Sequence, residues 1–386
     1  MIKNRNEILS FGDVKAKDVA LKIAEYAIAK ADPYRIVKES VRVEDGSIIV
    51  EGNTFELGGE VYVVAIGKAS CPMAKAVEDL LEDRIGDGIA VTKYGYSMPL
   101  SRIEVIEAGH PIPDENSVRG AERALKIAKK VGRDDLLIVL VSGGGSALFV
   151  MPEDGIGLED KIRTNELLLK SGAKIHEINT VRKHISKVKG GKFVKGVKGT
   201  VLSLIISDVV GDNLEVIASG ITARDPTTFE DAHRILKLYS IWNEIPESVR
   251  RHIELGMRGL KEETLKEDLN NVHNFLICSS KKVCEFALEK AEKLGYPAHI
   301  VTSTLEGEAR HAGTVIASMV QEIWKNDRPF KKPSVLIFGG ETTVTIAGKA
   351  GKGGPNQELA LSSAKKISKL RGCCIASIDT DGTDGP

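Results

Sequence analysis

The order of strand-like and helix-like segments along this chain predicts an α/β protein. It is expected to form two Rossmann-like, three-layer αβα domains with mainly parallel sheets and a cleft between them. Three observations carry the expectation. Residues 136–141 (Leu-Leu-Ile-Val-Leu-Val) are an unbroken apolar run of β-formers, as in a strand buried on both faces. Strands and helices alternate on either side of a densely charged helical stretch, the pattern of parallel sheets covered by helices. The strand candidates also end repeatedly in glycine-rich or polar corners, and open parallel sheets bind ligands outside their carboxyl edge.

The composition allows this architecture. A chain of 386 residues suggests two or three domains, and 42% apolar with 28% charged residues is the balance of a soluble globular protein. The 54 basic and 54 acidic residues cancel, so nothing global points to nucleic acid or to an anionic membrane. No apolar run approaches the ~18 residues of a membrane span, and the first residues lack the apolar core of a secretory signal. Five cysteines (Cys71, Cys278, Cys284, Cys373, Cys374) without C-x-x-C spacing fit thiols packed in a reducing cytoplasm. Only two glutamines, Gln321 and Gln357, stand beside abundant Lys and Glu, which points weakly toward a thermophilic source.

The elements follow in order. Residues 13–30 carry apolar positions at 3.6 spacing behind a capping Asp13. Asp45-Gly46 predicts a hairpin turn between 41–43 and 48–50. Residues 61–66 read as a strand, followed by Gly67-Lys68 and a helix over 73–81. Strands are expected at 88–92 and 103–107, then a loop holding His110 and a helix over 118–131. After the central strand come Ser142-Gly143-Gly144-Gly145-Ser146, helices at 161–170 and 177–188, and a strand over 200–206 ending at Ser207-Asp208. Residues 229–268 read as helical, broken at Pro246, and the domain junction is placed here, giving domains 1–238 and 239–386. Strands at 274–278, 298–302, 335–338 and 373–378 follow, with helices at 281–294, 306–324 and 357–370 between them.

The corners hold the chemistry. Three consecutive glycines let successive N–H groups turn toward one point and form an anion-binding nest; a turn without a ligand has the same sequence. Lys68, the 142–146 corner, Asp208, Glu341 and the run from Asp379 to Asp384 each follow a strand. Together they are the inventory of phosphoryl transfer: donors and cations for phosphates, a carboxylate beside the attacking hydroxyl, and oxygen ligands for Mg²⁺. Each also has a plainer reading. Lys68 reads equally as a solvated side chain, Asp208 as a helix cap, and the Asp/Gly cluster as ordinary turns. His110 is a candidate substrate contact or a structural histidine. The stretch 182–198 holds Arg182 and six lysines without an acid, which reads as a solvated face whose Arg182-Lys183-His184 end reaches toward phosphates. Walker, dinucleotide and zincin signatures are absent.

A family resemblance then emerges from Val64-Ala65-Ile66-Gly67-Lys68-Ala69, Gly109-His110-Pro111, Val141-Ser142-Gly143-Gly144-Gly145-Ser146 and Ile178-Asn179-Thr180-Val181-Arg182-Lys183-His184. Ser207-Asp208-Val209-Val210-Gly211-Asp212, Ala218-Ser219-Gly220, Gly339-Gly340-Glu341-Thr342, Gly353-Gly354-Pro355-Asn356-Gln357-Glu358 and Asp381-Gly382-Thr383-Asp384-Gly385-Pro386 extend it. In this order the motifs resemble the class II glycerate kinases of the MOFRL family. The resemblance implies ATP- and Mg²⁺-dependent phosphorylation of D-glycerate to 2-phosphoglycerate, with the site between two α/β domains. It implies Lys68, Asp208 and Arg182 as catalytic. Ser142, Gly143, Gly144, Gly145, Ser146, Asn179, Gly353, Gly354, Asn356 and Gln357 are expected to hold the nucleotide, and Asp381, Glu341 and Asp379 the metal. Partners are expected to be small molecules, with no nucleic acid and no membrane; a homodimer is compatible with the sequence.

Two features depart from the family pattern. Pro355 stands where many members carry arginine, and the family continues past Asp-Gly-Thr-Asp-Gly-Pro, so the second domain is expected to be cut short. The alternatives are a hydroxypyruvate reductase and a non-catalytic sugar-phosphate-binding α/β protein.

Overall fold

The computed structural model describes residues 2–346, 348 and 351–385. Helices α1 (Arg5–Leu9) and α2 (Val14–Lys30) open the chain, and the Asp13 carboxylate caps α2 by accepting from Ala16 N–H at 2.9 Å. Helix α3 (Pro33–Ser40) leads into an antiparallel meander of β1 (Val41–Glu44), β2 (Ser47–Val50) and β3 (Asn53–Glu56). Its first turn is at Asp45-Gly46, with φ of 49° and 77°, the left-handed pair that a two-residue hairpin turn requires.

The main sheet begins with β4 (Val61–Ile66), α4 (Ser70–Leu81), β5 (Ile85–Lys93) and β6 (Glu104–Ala108). After α5 (Glu115–Lys130) come β7 (Leu136–Val141), the single turn α6 (Gly145–Leu148), α7 (Leu158–Lys170), α8 (Ile175–His184) and β8 (Thr200–Ile206). Helices α9 (Phe229–Leu238) and α10 (Glu247–Met257) precede β9 (Val272–Cys278). The strand order is β6-β5-β4-β7-β8-β9, and the ladders β4–β5, β4–β7, β5–β6 and β7–β8 are all parallel. Winding proceeds outward to one side through β5 and β6, then restarts at β7 and proceeds to the other. The order therefore reverses between β4 and β7, and a crevice is expected at their carboxyl ends.

Every residue of β7 is buried, as its uninterrupted apolar run requires. One face packs against Ala121, Ala124 and Ile127 of α5, and Phe149 meets Phe193 edge-to-face at 5.4 Å in the same cluster. Helix α5 starts at a capping box in which Asp114 Oδ1 accepts from Ser117 N–H and Ser117 Oγ accepts from Asp114 N–H.

The chain forms two compact units, one of residues 33–277 and the other of residues 1–32 with 278–386. The junction expected at 238/239 thus moves to 277/278. Phe229, Leu236, Val249 and Ile253 of α9 and α10 share one core with Leu168 of α7 and Val181 of α8, so both helices belong to the first unit. Residues 258–268, expected as helix, are turns and loop.

In the second unit α11 (Ser280–Lys293) and β10 (Ala298–Leu305) precede α12 (Ala309–Asn326), β11 (Val335–Gly340) and α13 (Pro355–Ile367). β10 and β11 pair in parallel. Ile23 and Ala27 of α2 share a core with Cys284, Ala287 and Ala291 of α11, which draws the first residues of the chain into this unit. Residues 373–378, expected as a strand, form no ladder among the described residues; Ile375 packs instead on the cluster of Ala309, Ile316 and Leu359. Among the described residues no helix is long and apolar enough to cross a membrane.

Leu137 is fully enclosed at the centre of the main sheet. Leu137→Ala is expected to destabilise the chain by about 2–5 kcal/mol, read as a lower denaturation midpoint. A loss under about 1 kcal/mol would mean the sheet can close over the cavity.

Candidate active site

Two loops leave the sheet where its order reverses, and they touch. Lys68 N–H donates to Gly143 O at 2.8 Å, Ser142 N–H to Ile66 O at 2.9 Å, and Ala69 N–H to Ser142 Oγ at 3.1 Å. Glycine is required at this contact. Gly67 has φ 116°, and a Cβ there would collide with Ser142. A Cβ on Gly143 would collide with the Asp208 carboxylate, and one on Gly144 (φ 86°) would lie 3.1 Å from the His110 ring and 3.3 Å from Lys68 Cγ. Lys68, His110, Ser142–Ser146 and Asp208 are therefore gathered around one corner, as expected of residues following adjacent parallel strands. Asp208 is exposed, while Lys68 and His110 are half-buried.

Behind the corner runs a chain of polar contacts. Ser146 Oγ and Ser219 Oγ are 2.9 Å apart, and Ser219 Oγ donates to Asn179 Oδ1 at 3.1 Å. Arg182, one helical turn after Asn179 on α8, donates from Nε to Asn165 Oδ1 on α7 at 3.1 Å. Among the described residues its guanidinium has no carboxylate partner. Ser219, Asn165 and the buried Lys161 and Lys189 carried no site signal of their own in the sequence beyond the Ala-Ser-Gly motif. The backbone does carry one: Ala218 (φ 49°) and Ser219 (φ 62°) are both left-handed without being glycine. Such strain costs on the order of 1–3 kcal/mol per residue and persists where surrounding structure enforces it.

The basic stretch 182–198 is not the solvated face expected. Lys183 and Lys189 are buried, and acids distant in sequence meet its members: Asp225 for Lys183 at 3.2 Å, Asp154 for Lys187 at 2.5 Å, Glu153 for Lys192 at 2.7 Å and Glu262 for Lys195 at 2.6 Å. Lys189 Nζ donates to Gly145 O at 2.9 Å and Ala218 O at 3.2 Å, tying the glycine corner to the strained turn. Burial, with the charges of Lys161 and Arg182, holds Lys189 well below the usual lysine range. His184, also buried, spans Thr180 O and Glu263.

In the second unit, α13 begins at Pro355, where a missing N–H costs nothing. The Asp384 carboxylate accepts from the N–H groups of Asn356 and Gln357, both at 2.9 Å. Burial alone would raise the Asp384 pKa, but these donors hold it below the ordinary carboxylate value. The helix N-terminus expected to hold phosphate thus already carries an anion, with Gly353 and Gly354 packed beside residues 384 and 385. Asp379 accepts from Asp381 N–H and Asp381 from Thr383 N–H, both at 3.1 Å, which is turn chemistry. Glu341 is exposed beyond β11. Among the described residues no three His, Cys, Asp or Glu gather to hold a metal, so Asp379, Asp381 and Glu341 form no such centre as they stand.

The first unit does fit a phosphate-bearing ligand. The N–H groups of Gly143 and Gly144 have no acceptor among the described residues; on α8 and α7, Arg182 uses only Nε toward Asn165, and the buried Lys161 Nζ has no hydrogen-bond partner.

Comparison with known proteins agrees with this geometry. A domain of unknown function (DUF4147) matches residues 19–254, and the MOFRL family matches residues 334–386. A glycerate 2-kinase of Pyrococcus horikoshii is 63% identical over 96% of this chain and 83% of its own. A putative hydroxypyruvate reductase of Agrobacterium vitis is 38% identical over 98% of this chain and 82% of its own. The crystal structure of a glycerate kinase from Thermotoga maritima superposes with a TM-score of 0.81 at 44% identity, over 96% of this chain and 84% of that one.

Lys183 and Asp225 form a buried ion pair, with side-chain exposures of 5% and 0%. Burial pushes the Asp225 pKa up, yet the Lys183 ammonium overrides it and holds the group below its ordinary 3.8. That stabilisation is present above the ordinary value and lost as pH falls through the lowered one. Lys183→Met would leave the carboxylate buried without its cation, held only by Thr227 N–H and Oγ1, for an expected loss of about 3–5 kcal/mol at pH 7. The deficit should shrink on acidification, because Asp225 then protonates above its ordinary value. Denaturation at pH 7 and pH 5 checks both statements.

Proposed function

This chain belongs to the class II glycerate kinase (MOFRL) family, and we propose that it transfers the γ-phosphoryl group of ATP to the 2-hydroxyl of D-glycerate. The products are 2-phosphoglycerate and ADP. The observation that carries this reading is the convergence of Lys68, Asp208 and the open N–H groups of Gly143 and Gly144 at one corner of the sheet.

Each residue has a role in that reaction. The 2-hydroxyl oxygen attacks the γ-phosphorus while the bond to the bridging oxygen of ADP breaks, and Asp208 accepts the hydroxyl proton. Exposure suits Asp208 for this, since the acceptor must reach it. The glycine N–H groups approach phosphate oxygens without intervening side chains. Lys68 and Arg182 are the cations for the transferred group and the acceptor carboxylate, and Arg182 can offer its guanidinium ends because Asn165 occupies only Nε. Ser146, Ser219 and Asn179 fix the corner from behind. Mg²⁺ is assigned to the nucleotide phosphates, where it would offset charge. The cytoplasm is proposed as the compartment, on the free thiols.

A coupled ADP-release assay tests the reading. ADP formation should depend on D-glycerate, while glycerol, which lacks the carboxylate, should react about 10²-fold or more slowly for a lost charge-assisted contact of ~3 kcal/mol. Oxidation of NADH with hydroxypyruvate, without glycerate-dependent ADP release, would favour the reductase named for the Agrobacterium vitis relative.

Asp208→Asn keeps size and hydrogen bonding but removes the base. It is expected to lower kcat by about 10²-fold or more with a smaller change in the KM for ATP. A folded variant with near-normal kcat would leave Asp208 as a turn residue.

A further inference from the structure

Lys161 has no use in the reaction as derived, and its setting is unusual. It lies in the first turn of α7 with only 1% of its surface exposed. Its Nζ has no hydrogen-bond partner among the described residues. Buried amines are normally paired or bonded, because an unpaired ammonium loses its hydration without replacement. Asn165 is one turn further along the same face of α7, and it holds Arg182. Asn179, one turn before Arg182 on α8, accepts from Ser219, which meets Ser146 at the glycine corner, and Lys189 ties that corner to Ala218. Lys161 thus shares α7 with the residue that holds Arg182, and among the described residues none of Lys161, Arg182 and Lys189 forms an ion pair.

The surrounding charges offer Lys161 no relief. Arg182 from α8 and Lys192 from the loop after it both act on it as cations, and Lys192 is already held by Glu153 at 2.7 Å. The other titratable groups of α8 that turn inward are occupied, Lys183 by Asp225 and His184 by Glu263. From α10, His252 is buried with Nε2 against His184 O. On α7 itself Asp160 accepts from Ser248 Oγ at 2.5 Å. Burial first, then the Arg182 and Lys192 charges, bring the Lys161 pKa down to about 7.

We propose that Lys161 is a positioning residue for an anion bound at Arg182, and that this anion, a carboxylate or a phosphoryl group, is the counter-charge the buried cations lack within the chain. The inference rests on the function proposed above and adds a proton to it. Anion binding favours the ammonium form of Lys161, so a chain whose Lys161 is neutral takes up a proton as it binds. The group's pKa is higher in the bound state than in the free one. Affinity is therefore greatest below pH 7 and falls as pH rises, by about tenfold between pH 6 and pH 8 for a free value near 7.

The test is calorimetric titration of the full chain at pH 8 in two buffers of different ionisation enthalpy. Three probes are used singly: D-glycerate, ATP without acceptor, and sulfate. Uptake approaching one proton with D-glycerate assigns the anion as the acceptor carboxylate, and uptake with ATP assigns it as phosphate. Uptake with sulfate alone supports the anion site while counting against the proposed reaction, which the ADP-release assay judges separately. Binding without proton uptake for every probe, or no binding of any, overturns the proposal. Lys161→Met should weaken binding of the probe concerned about tenfold at pH 6 and flatten its pH dependence. Lys161→Arg, charged at every pH, should restore affinity without uptake. A folded Lys161→Met chain that keeps the wild-type pH profile would also overturn it.

Discussion

The close approach of the loops after β4 and β7 governs the rest of the site. Lys68 N–H meets Gly143 O at 2.8 Å at the point where the strand order reverses. Backbones this near leave no room for side chains, so Gly67 and Gly143 must be bare. That bareness exposes N–H groups, lets the Asp208 carboxylate come against the corner, and brings His110 and Lys68 within van der Waals reach of Gly144. A parallel sheet wound both ways supplies the loops, and glycine lets them meet.

Positive charge is handled in an unequal way around this corner. At the surface, lysines such as Lys187 and Lys195 meet exposed acids in pairs worth little. Further in, Lys183 is neutralised by Asp225, while Lys189 is satisfied by two carbonyl oxygens. Arg182 receives one amide oxygen, from Asn165 at Nε, and Lys161 receives neither kind of compensation. Desolvated charge of this sort works against folding, and its persistence near the glycine corner marks Arg182 and Lys161 as candidates for a functional site.

Much of the first unit was legible from local pattern. The strands at 61–66, 136–141 and 200–206 carry the bounds read from their apolar runs, because burial on both faces leaves no polar residue to blur them. Asp13, Asp45-Gly46 and the glycine corner declared themselves through cap and turn chemistry. What failed depended on distant partners. The run from 182 to 198 looked solvated because its acids lie at 153, 154, 225 and 262. The junction was misplaced because the charged helices α9 and α10 bury their apolar faces on α7 and α8. Residues 373–378 have β-forming composition but no ladder partner, and composition cannot supply one.

The second unit joins chain segments from both sides of the first. Tyr26 Oη on α2 donates to Glu289 Oε1 on α11 across 263 positions, and Ile23 and Ala27 sit in the same core as Ala287 and Ala291. Closing so long a loop in an unfolded chain costs about 5 kcal/mol beyond a constant. During synthesis α2 emerges first yet has no partner until α11 is made, so its apolar stripe must wait while residues 33–277 collapse. Collapse of residues 33–277 shortens the loop to be closed, so part of the closure entropy is spent before α2 and α11 meet. The connectivity therefore imposes an order of assembly, with the glycine corner formed before the segments at either side of it can join.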